Sequence, residues 1–148
     1  MLEVGSDIGI WYAAHIVMYI ELVDGALDYC PVWENIYLIQ AENPSDAFDK
    51  ADKIGKFLQE TSEVDGTTFG DKRAHWKFAG VRRLAECIDL SSGTGGDAEV
   101  TYLEYTVSDK ETLDKIMSGQ PSRIVLEPQK RIANGEQINK WFHPELLL

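Results

Sequence analysis

The sequence is short of basic residues, with 14 Lys and Arg against 25 Asp and Glu in 148 residues and a net charge of −11. The deficit is concentrated in residues 1–66, which hold 13 acidic and 3 basic side chains, whereas residues 67–148 hold 12 and 11. Because nucleic-acid backbones attract basic proteins, this balance disfavours direct nucleic-acid binding. Any protein partner is expected to be basic, although the charge is also explained by solubility alone.

Cysteine and histidine are also scarce, at two and three residues. No His-x-x-x-His or Cys-x-x-Cys spacing occurs, so we expect no metal site and no other cofactor. Two isolated cysteines cannot make a structural zinc site without histidine or carboxylate ligands, and a disulfide between them is the less favoured alternative to free thiols. Cys30 and Cys87 both lie in apolar, strand-like segments, which predicts buried free thiols in a reducing cytoplasm.

Long hydrophobic runs are absent too. The most apolar stretch, residues 8–23, contains Gly9, His15 and Glu21 and is too short and interrupted to span a bilayer. No basic region precedes it, so a secretory signal is not expected. The sequence therefore predicts a cytoplasmic protein without membrane contact. Its length and its 44% apolar residues are typical of a single globular domain.

A β-hairpin is predicted at the start of the domain. Residues 10–23 alternate, with apolar even positions and mixed odd positions, which indicates a strand with one face in the core. Asp24 and Gly25 then supply a tight turn. Residues 32–41 are rich in β-branched and aromatic side chains and form the second predicted strand.

A long helix follows, predicted from Pro44 to about Thr61. Asn43 is a favourable N-cap, and Pro44 suits the first helical position because its missing N–H would be unpaired there anyway. Apolar residues recur at spacings of three and four and make one stripe, which we expect to pack on the even face of the first strand; they are Ala47, Phe48, Ala51, Ile54, Gly55 and Leu58.

The second half is predicted as a strand over residues 72–88 with a bulge at Gly80, a Ser/Gly-rich loop at 91–96, and a strand over 99–107. The loop matches no nucleotide-binding spacing. Ser108 and Glu111 form a capping box for a short helix that ends at Gly119, and residues 124–126 are a candidate edge strand.

These elements predict an α+β protein. We expect a mostly antiparallel sheet of four to five strands, one long helix on one face and a shorter second helix, in the order β-β-α-β-β-α with a possible last strand. Residues 1–148 form one domain, comprising a core over residues 10–90 and a C-terminal extension over residues 91–148.

Three segments resemble a known family in the same order. They are Trp11-Tyr12-Ala13-Ala14, then Trp33-Glu34 with Ile36 to Ala41 and the helix start at Ala47 to Ala51, and finally Trp76-Lys77-Phe78-Ala79-Gly80-Val81. Together they are similar to a bacterial family catalogued as domain of unknown function 4288, over about residues 10–90. The resemblance implies the domain but supplies no catalytic motif.

Two histidines offer a catalytic hypothesis. His15 and His75 fall on the less apolar faces of their strands. If these strands are neighbours, the two histidines could lie together with Tyr19 and Glu21 and act as a general acid or base beside a carboxylate. That arrangement would suit a small hydrolytic enzyme. The alternative, which we favour, is that they are ordinary half-buried strand residues.

A binding hypothesis rests on aromatic and acidic residues around the hairpin. Trp11, Tyr19, Trp33 or Tyr37, and His75 could populate the sheet face opposite the helix, where exposed aromatics mark binding surfaces. The alternative, which we favour, is that the C-terminal segment covers that face with Leu113, Ile116 and Met117 or with Trp141 and Phe142. We therefore predict a small interaction protein, a neutralising partner of a basic protein, with a homo-oligomer left open and no catalytic residue assigned. The predicted binding residues are Trp11, His15, Tyr19, Asp24, Asp28, Trp33, Glu34 and His75.

Overall fold

The structure is a computed structural model that describes residues 9–91, 96–126, 131–133 and 136–138. Its elements in chain order are β1 (Ile10–Leu22), β2 (Val32–Ala41), α1 (Pro44–Asp65), β3 (Thr67–Phe69), β4 (Lys72–Glu86), α2 (Ile88–Ser91), β5 (Tyr105–Thr106), α3 (Lys110–Met117), β6 (Val125–Leu126), β7 (Arg131–Ala133) and β8 (Glu136–Ile138).

Four antiparallel strands form the main sheet, in the order β2-β1-β4-β3. Two further antiparallel pairs join β5 to β6 and β7 to β8. The α+β prediction is thus confirmed, with a mostly antiparallel sheet and a long helix. No helix in the described part of the chain combines the length and apolar character needed to cross a bilayer.

The predicted hairpin is present with almost the predicted bounds. β1 and β2 pair without interruption from Ile10 opposite Ala41 to Tyr19 opposite Val32. The even residues of β1 point to the α1 side, where Tyr12, Ile16 and Met18 enter the main core. The alternation read from the sequence therefore identified the core face of this strand correctly.

Helix α1 begins as its sequence predicts. The side chain of Asn43 accepts a hydrogen bond from the backbone N–H of Asp46 at 2.9 Å, and Pro44 occupies the first turn. The predicted stripe packs against the core, with Ala47 and Ala51 fully buried and Phe48, Ile54 and Leu58 partly buried. The helix continues to Asp65, one turn beyond the predicted end, and Gly66 caps it at φ 77°, a backbone angle that glycine adopts freely.

The sheet departs from regular pairing at two points along β4. Register shifts lie opposite His15 and Ile16 and opposite Val17 and Met18. The second shift confirms the bulge predicted near Gly80, where φ is 145°. The first leaves Arg82 as an extra residue, and the sequence did not predict it. Strand β3 was also missed, because three residues are too short for a periodic signal.

Several predictions for the second half were wrong. Only Tyr105 and Thr106 of the strand predicted over residues 99–107 belong to a ladder, in which they pair with β6. Helix α3 is capped by Asp109 rather than Ser108, because the Asp109 carboxylate accepts from the Thr112 N–H at 2.7 Å. The predicted edge strand is confirmed at Val125 and Leu126.

The remaining predictions have mixed outcomes. Cys87 is buried, as expected, but Cys30 is exposed in the loop between β1 and β2, so only one thiol lies in the core. Among the proposed covering residues of α3, Met117 is 77% exposed, and neither core cluster includes a residue of this helix. Trp141, Phe142 and residues 92–95 of the predicted loop lie outside the described residues.

Candidate interaction site

The sheet face opposite α1, here called the outer face, is partly covered by residues 97–104, here called the covering segment. Three contacts attach this segment to the sheet. Thr101 Oγ1 lies 2.8 Å from His15 Nε2, Arg83 Nη1 donates to the Tyr102 carbonyl at 2.6 Å, and the Cys87 thiol donates to the Val100 carbonyl at 3.1 Å. Beneath it, His15 has no exposed surface.

His15 is the centre of a polar network on the outer face. Its Nδ1 lies 2.6 Å from Glu34 Oε1, and because a carboxylate only accepts, Nδ1 carries the proton. The same carboxylate oxygen accepts from Arg82 Nε at 2.8 Å and from Arg82 Nη2 at 2.6 Å. The bulge at Arg82 supplies this contact, since it re-aims a side chain that regular pairing would place elsewhere.

Glu34 remains ionised far below neutral pH. Burial opposes its charge, but the hydrogen bonds from His15 and Arg82, together with the charge of Arg82, outweigh that effect and lower the pKa of Glu34 from 4.5 to about 2. A partly buried carboxylate that accepts from two side chains stabilises the strands that carry these groups. The network therefore ties β1, β2 and β4 together.

Glu34, His15 and Thr101 also form a carboxylate, imidazole and hydroxyl in series. This is the order of groups in hydrolases that activate a hydroxyl nucleophile. Thr101 lines a pocket of about 300 Å³ together with Arg83 and Tyr102. His15 itself is enclosed, because the covering segment closes over its ring.

Beyond the covering segment, the outer face of β2 is apolar and exposed. Val32, Ile36 and Leu38 are 56%, 45% and 45% exposed, and Glu34 lies between Val32 and Ile36 on the same face. They point to the same face because side chains of a strand alternate with a period of two. The three together form an exposed row rather than scattered surface residues.

On the other side of β2, an open groove of about 570 Å³ lies beside α1. Met18, Trp33, Tyr37, Leu58 and Trp76 line it. The ring of Trp33 packs edge-on against that of Trp76, with centroids 4.5 Å apart. Trp33 and Tyr37 pair with Met18 and Ala14, which face the core, so both lie on the α1 side of the sheet. The prediction that Trp33 or Tyr37 belongs to an aromatic cluster on the outer face was therefore wrong.

The predicted site residues separate into groups. The structure brings His15 and Glu34 into contact, but His75 lies elsewhere on the sheet. His75 is opposite Glu21, which is six residues from His15 along β1. At the usual rise of a strand this separates the two histidines by about 20 Å. Trp11 and Tyr19 are half-buried on the outer face. Asp24 and Asp28 are exposed in the β1–β2 loop and make no ion pair with any described residue.

The sequence did not predict that Arg82, Arg83 and Thr101 belong to the site. Arg82 depends on a bulge, and Thr101 is 86 residues from His15 in the chain, so no local pattern announces either contact. Among the residues that the structure describes, no group of three or more His, Cys, Asp or Glu could hold a metal ion.

The sequence was compared with family models, curated proteins and solved structures. No curated protein and no solved structure matches the sequence. A family model described as a domain of unknown function, DUF4288, matches residues 11–100. The match includes the β1–β2 hairpin, α1 and β4, and it ends at Val100, whose carbonyl accepts from the Cys87 thiol. Since it spans more than half of the chain, the chain belongs to the DUF4288 family.

Proposed function

We propose that this chain is a small cytoplasmic binding module that holds a basic protein partner at β2 and the adjoining β1–β2 loop. The observation that carries the proposal is the exposed row of Val32, Ile36 and Leu38 on an edge strand. Contiguous exposed apolar residues mark interaction sites, and an unprotected edge strand is a template for pairing with another chain.

Charge around this row favours a basic partner. Asp24 and Asp28 are exposed at the end of the sheet where β2 begins. Charges at the margin of an interface steer association and select partners of opposite sign more than they add affinity. Glu34 contributes less to this field, because Arg82 and His15 already bind its carboxylate.

Capture of the partner at two salt concentrations tests the proposal. The wild-type chain and the double variant Asp24→Lys, Asp28→Lys are used as bait in lysate of the host. We expect capture to weaken several-fold at high salt and in the variant. The control is Asp49→Lys with Asp52→Lys, which makes the same charge change on the part of α1 far from the β1–β2 loop. A partner retained equally by both variants and at both salt concentrations would contradict the proposal.

A second candidate function is hydrolysis through Thr101, His15 and Glu34. It is favoured by the distances of 2.8 Å and 2.6 Å that join the three groups. Thr101 Oγ1 would attack an acyl carbon and pass its proton to His15 Nε2, while Glu34 orients the ring. Binding is the stronger candidate, because the imidazole has no exposed surface from which to reach a leaving group.

An activated ester distinguishes the two functions. With p-nitrophenyl acetate, the hydrolytic function requires release of p-nitrophenol that Thr101→Val abolishes and Thr101→Ser retains. If the protein only binds, the wild type and Thr101→Val release it at the same slow rate. His75 offers no comparable series, since its buried Nδ1 has no hydrogen-bond partner among the described residues.

A further inference from the structure

Side chains of α1 bind edge backbone groups along β4 but leave most of those along β2 open. Along β4, Ser62 Oγ accepts from the Trp76 N–H at 2.9 Å, and Gln59 Oε1 accepts from the Phe78 N–H at 2.9 Å. These side chains occupy backbone donors that another strand would otherwise use. Covering an edge in this way is a recognised protection against unwanted pairing.

Along β2, α1 binds a backbone group only near the end of the strand, at Gln40. Lys50 Nζ donates to the Gln40 carbonyl at 2.8 Å, so the backbone groups of Gln40 point away from β1. In an antiparallel ladder the N–H and C=O of one residue point to the same side, and alternate residues share that side. The N–H and C=O of Glu34, Ile36 and Leu38 therefore point to the open edge, where no described residue pairs with them.

The usual protections of an edge strand are missing from β2. The strand has ten residues, contains no proline, and pairs with β1 without a bulge. Its one charged side chain, Glu34, is already bound by Arg82. Long, regular and uncharged edges are templates for another strand.

The groove beside β2 has apolar walls on both sides. Trp33 and Tyr37 line it from the strand and Leu58 from the helix. Phe57 lies two turns after Lys50, on the same side of α1, and is 63% exposed. Val64, two turns further, is 84% exposed. Exposed apolar side chains thus continue along α1 toward the end of the groove at Val32, where the β1–β2 loop carries Asp24 and Asp28.

We propose that an extended segment of the partner adds to β2 as a new edge strand, in the groove between β2 and α1. The proposal rests on the proposed binding function and specifies its mode. Backbone groups of Glu34, Ile36 and Leu38 would supply affinity, while alternate side chains of the segment enter the groove and lie along the exposed row of β2.

The chemistry of the site specifies the segment. Most side chains that it touches are apolar, and the one carboxylate among them, Glu34, is already bound by Arg82. The segment is therefore an uncharged run rich in β-branched or aromatic residues. Asp24 and Asp28 lie at the Val32 end, whereas Lys50 lies at the Gln40 end. The segment therefore carries Lys or Arg at the end that meets the β1–β2 loop.

Selection from a phage-displayed library of random dodecapeptides tests the proposal. We expect the selected peptides to share an uncharged β-forming run with a basic residue on one side. Labelled copies are then titrated against the intact chain by fluorescence anisotropy. Failure to select any peptide, or selection of acidic or proline-rich peptides, would overturn the proposal.

Two substitutions at Ile36 test the contribution of its backbone N–H. Ile36→Pro removes an N–H that points to the open edge but leaves the β1–β2 ladder intact. We expect it to weaken peptide binding roughly tenfold or more, because a strand-addition hydrogen bond is lost and the ring obstructs pairing. Ile36→Thr, which retains the N–H, should bind within about threefold of wild type, because only part of an exposed side chain changes.

Methylation of the peptide tests the same bonds without altering the protein. N-methylation at alternate residues should abolish binding in one register and spare it in the other, because only alternate N–H groups face β2. Equal effects in both registers would overturn strand addition. So would a homodimer, detected by sedimentation equilibrium, that Ile36→Pro dissociates and that excludes the peptides.

Capture of the host partner separates this mode from the binding function itself. If Ile36→Pro retains the partner but the Asp24 and Asp28 variant loses it, strand addition fails and the binding function stands. If the partner ignores both sets of substitutions, both proposals fail. Loss in Ile36→Pro with retention in Ile36→Thr supports both.

Discussion

Replacement of Glu34 by Gln tests whether the polar network of His15, Glu34 and Arg82 holds the sheet together. The pKa of Glu34 falls from 4.5 to about 2 on folding, and each unit corresponds to about 1.4 kcal/mol. The full shift would stabilise the fold by about 3 kcal/mol. Because the side chain is 25% exposed, solvent screening reduces this to about 2 kcal/mol. Glu34→Gln should therefore lower the free energy of unfolding by about 2 kcal/mol at pH 7.

The sign of the pH dependence follows from the lowered pKa. A carboxylate with a depressed folded-state pKa contributes its stability above the unfolded value and loses it as pH falls toward the folded value. The difference between wild type and Glu34→Gln should be full above pH 5 and shrink by more than half at about pH 3. Comparison of the two chains cancels the titration of the other acidic groups.

Urea denaturation at pH 7, 5, 4 and 3, followed by tryptophan fluorescence, measures this difference. Glu60→Gln is the matched control, since it makes the same chemical change on the exposed surface of α1 and should alter stability by less than about 0.5 kcal/mol. If wild type and Glu34→Gln lose stability in parallel from pH 7 to pH 3, the network does not stabilise the fold through the charge of Glu34.

Three other properties follow from the packing. A methyl group at Gly55 would overlap the Phe78 ring, so Gly55→Ala should destabilise the protein by about 1–2 kcal/mol despite its better helix propensity. Phe78→Leu in the same chain should recover part of that loss in urea denaturation, and a stabilised Gly55→Ala would contradict the contact. Ile54→Ala should cost about 2 kcal/mol or more, and an unchanged denaturation midpoint would mean that this residue does not pack on β1. Cys30 is exposed, whereas burial raises the pKa of the Cys87 thiol, so a disulfide reagent should modify one thiol per native chain and two only in denaturant; rapid modification of both would show that the covering segment opens readily.

Local signals predicted the first half of the fold well. The alternation of β1, the Asn43 cap and the apolar stripe of α1 all reflect the periodicity of one element, and each appears in the structure. The second half was predicted less well. Residues 97–104 contain β-forming side chains, but their backbone forms no ladder. The carbonyls of Val100 and Tyr102 instead accept from the side chains of Cys87 and Arg83.

The candidate site depends on register, which the sequence leaves open. His15 and Glu34 were both proposed as site residues, but their contact requires β1 and β2 to pair with Val17 opposite Glu34. A shift of one residue would send Glu34 to the other face. The exposed edge of β2 required the strand order as well, since the same residues in a central strand would be paired on both sides.

The attachment of the covering segment sets the smallest fragment that should fold. The family match ends at residue 100, just before Thr101 and Tyr102, whose groups bind His15 and Arg83. A fragment cut at that boundary would leave an imidazole and a guanidinium without these partners on a newly uncovered surface. Leaving buried polar groups unpaired is costly. The autonomous unit therefore extends at least through the covering segment, and fragments made for expression should end beyond residue 104.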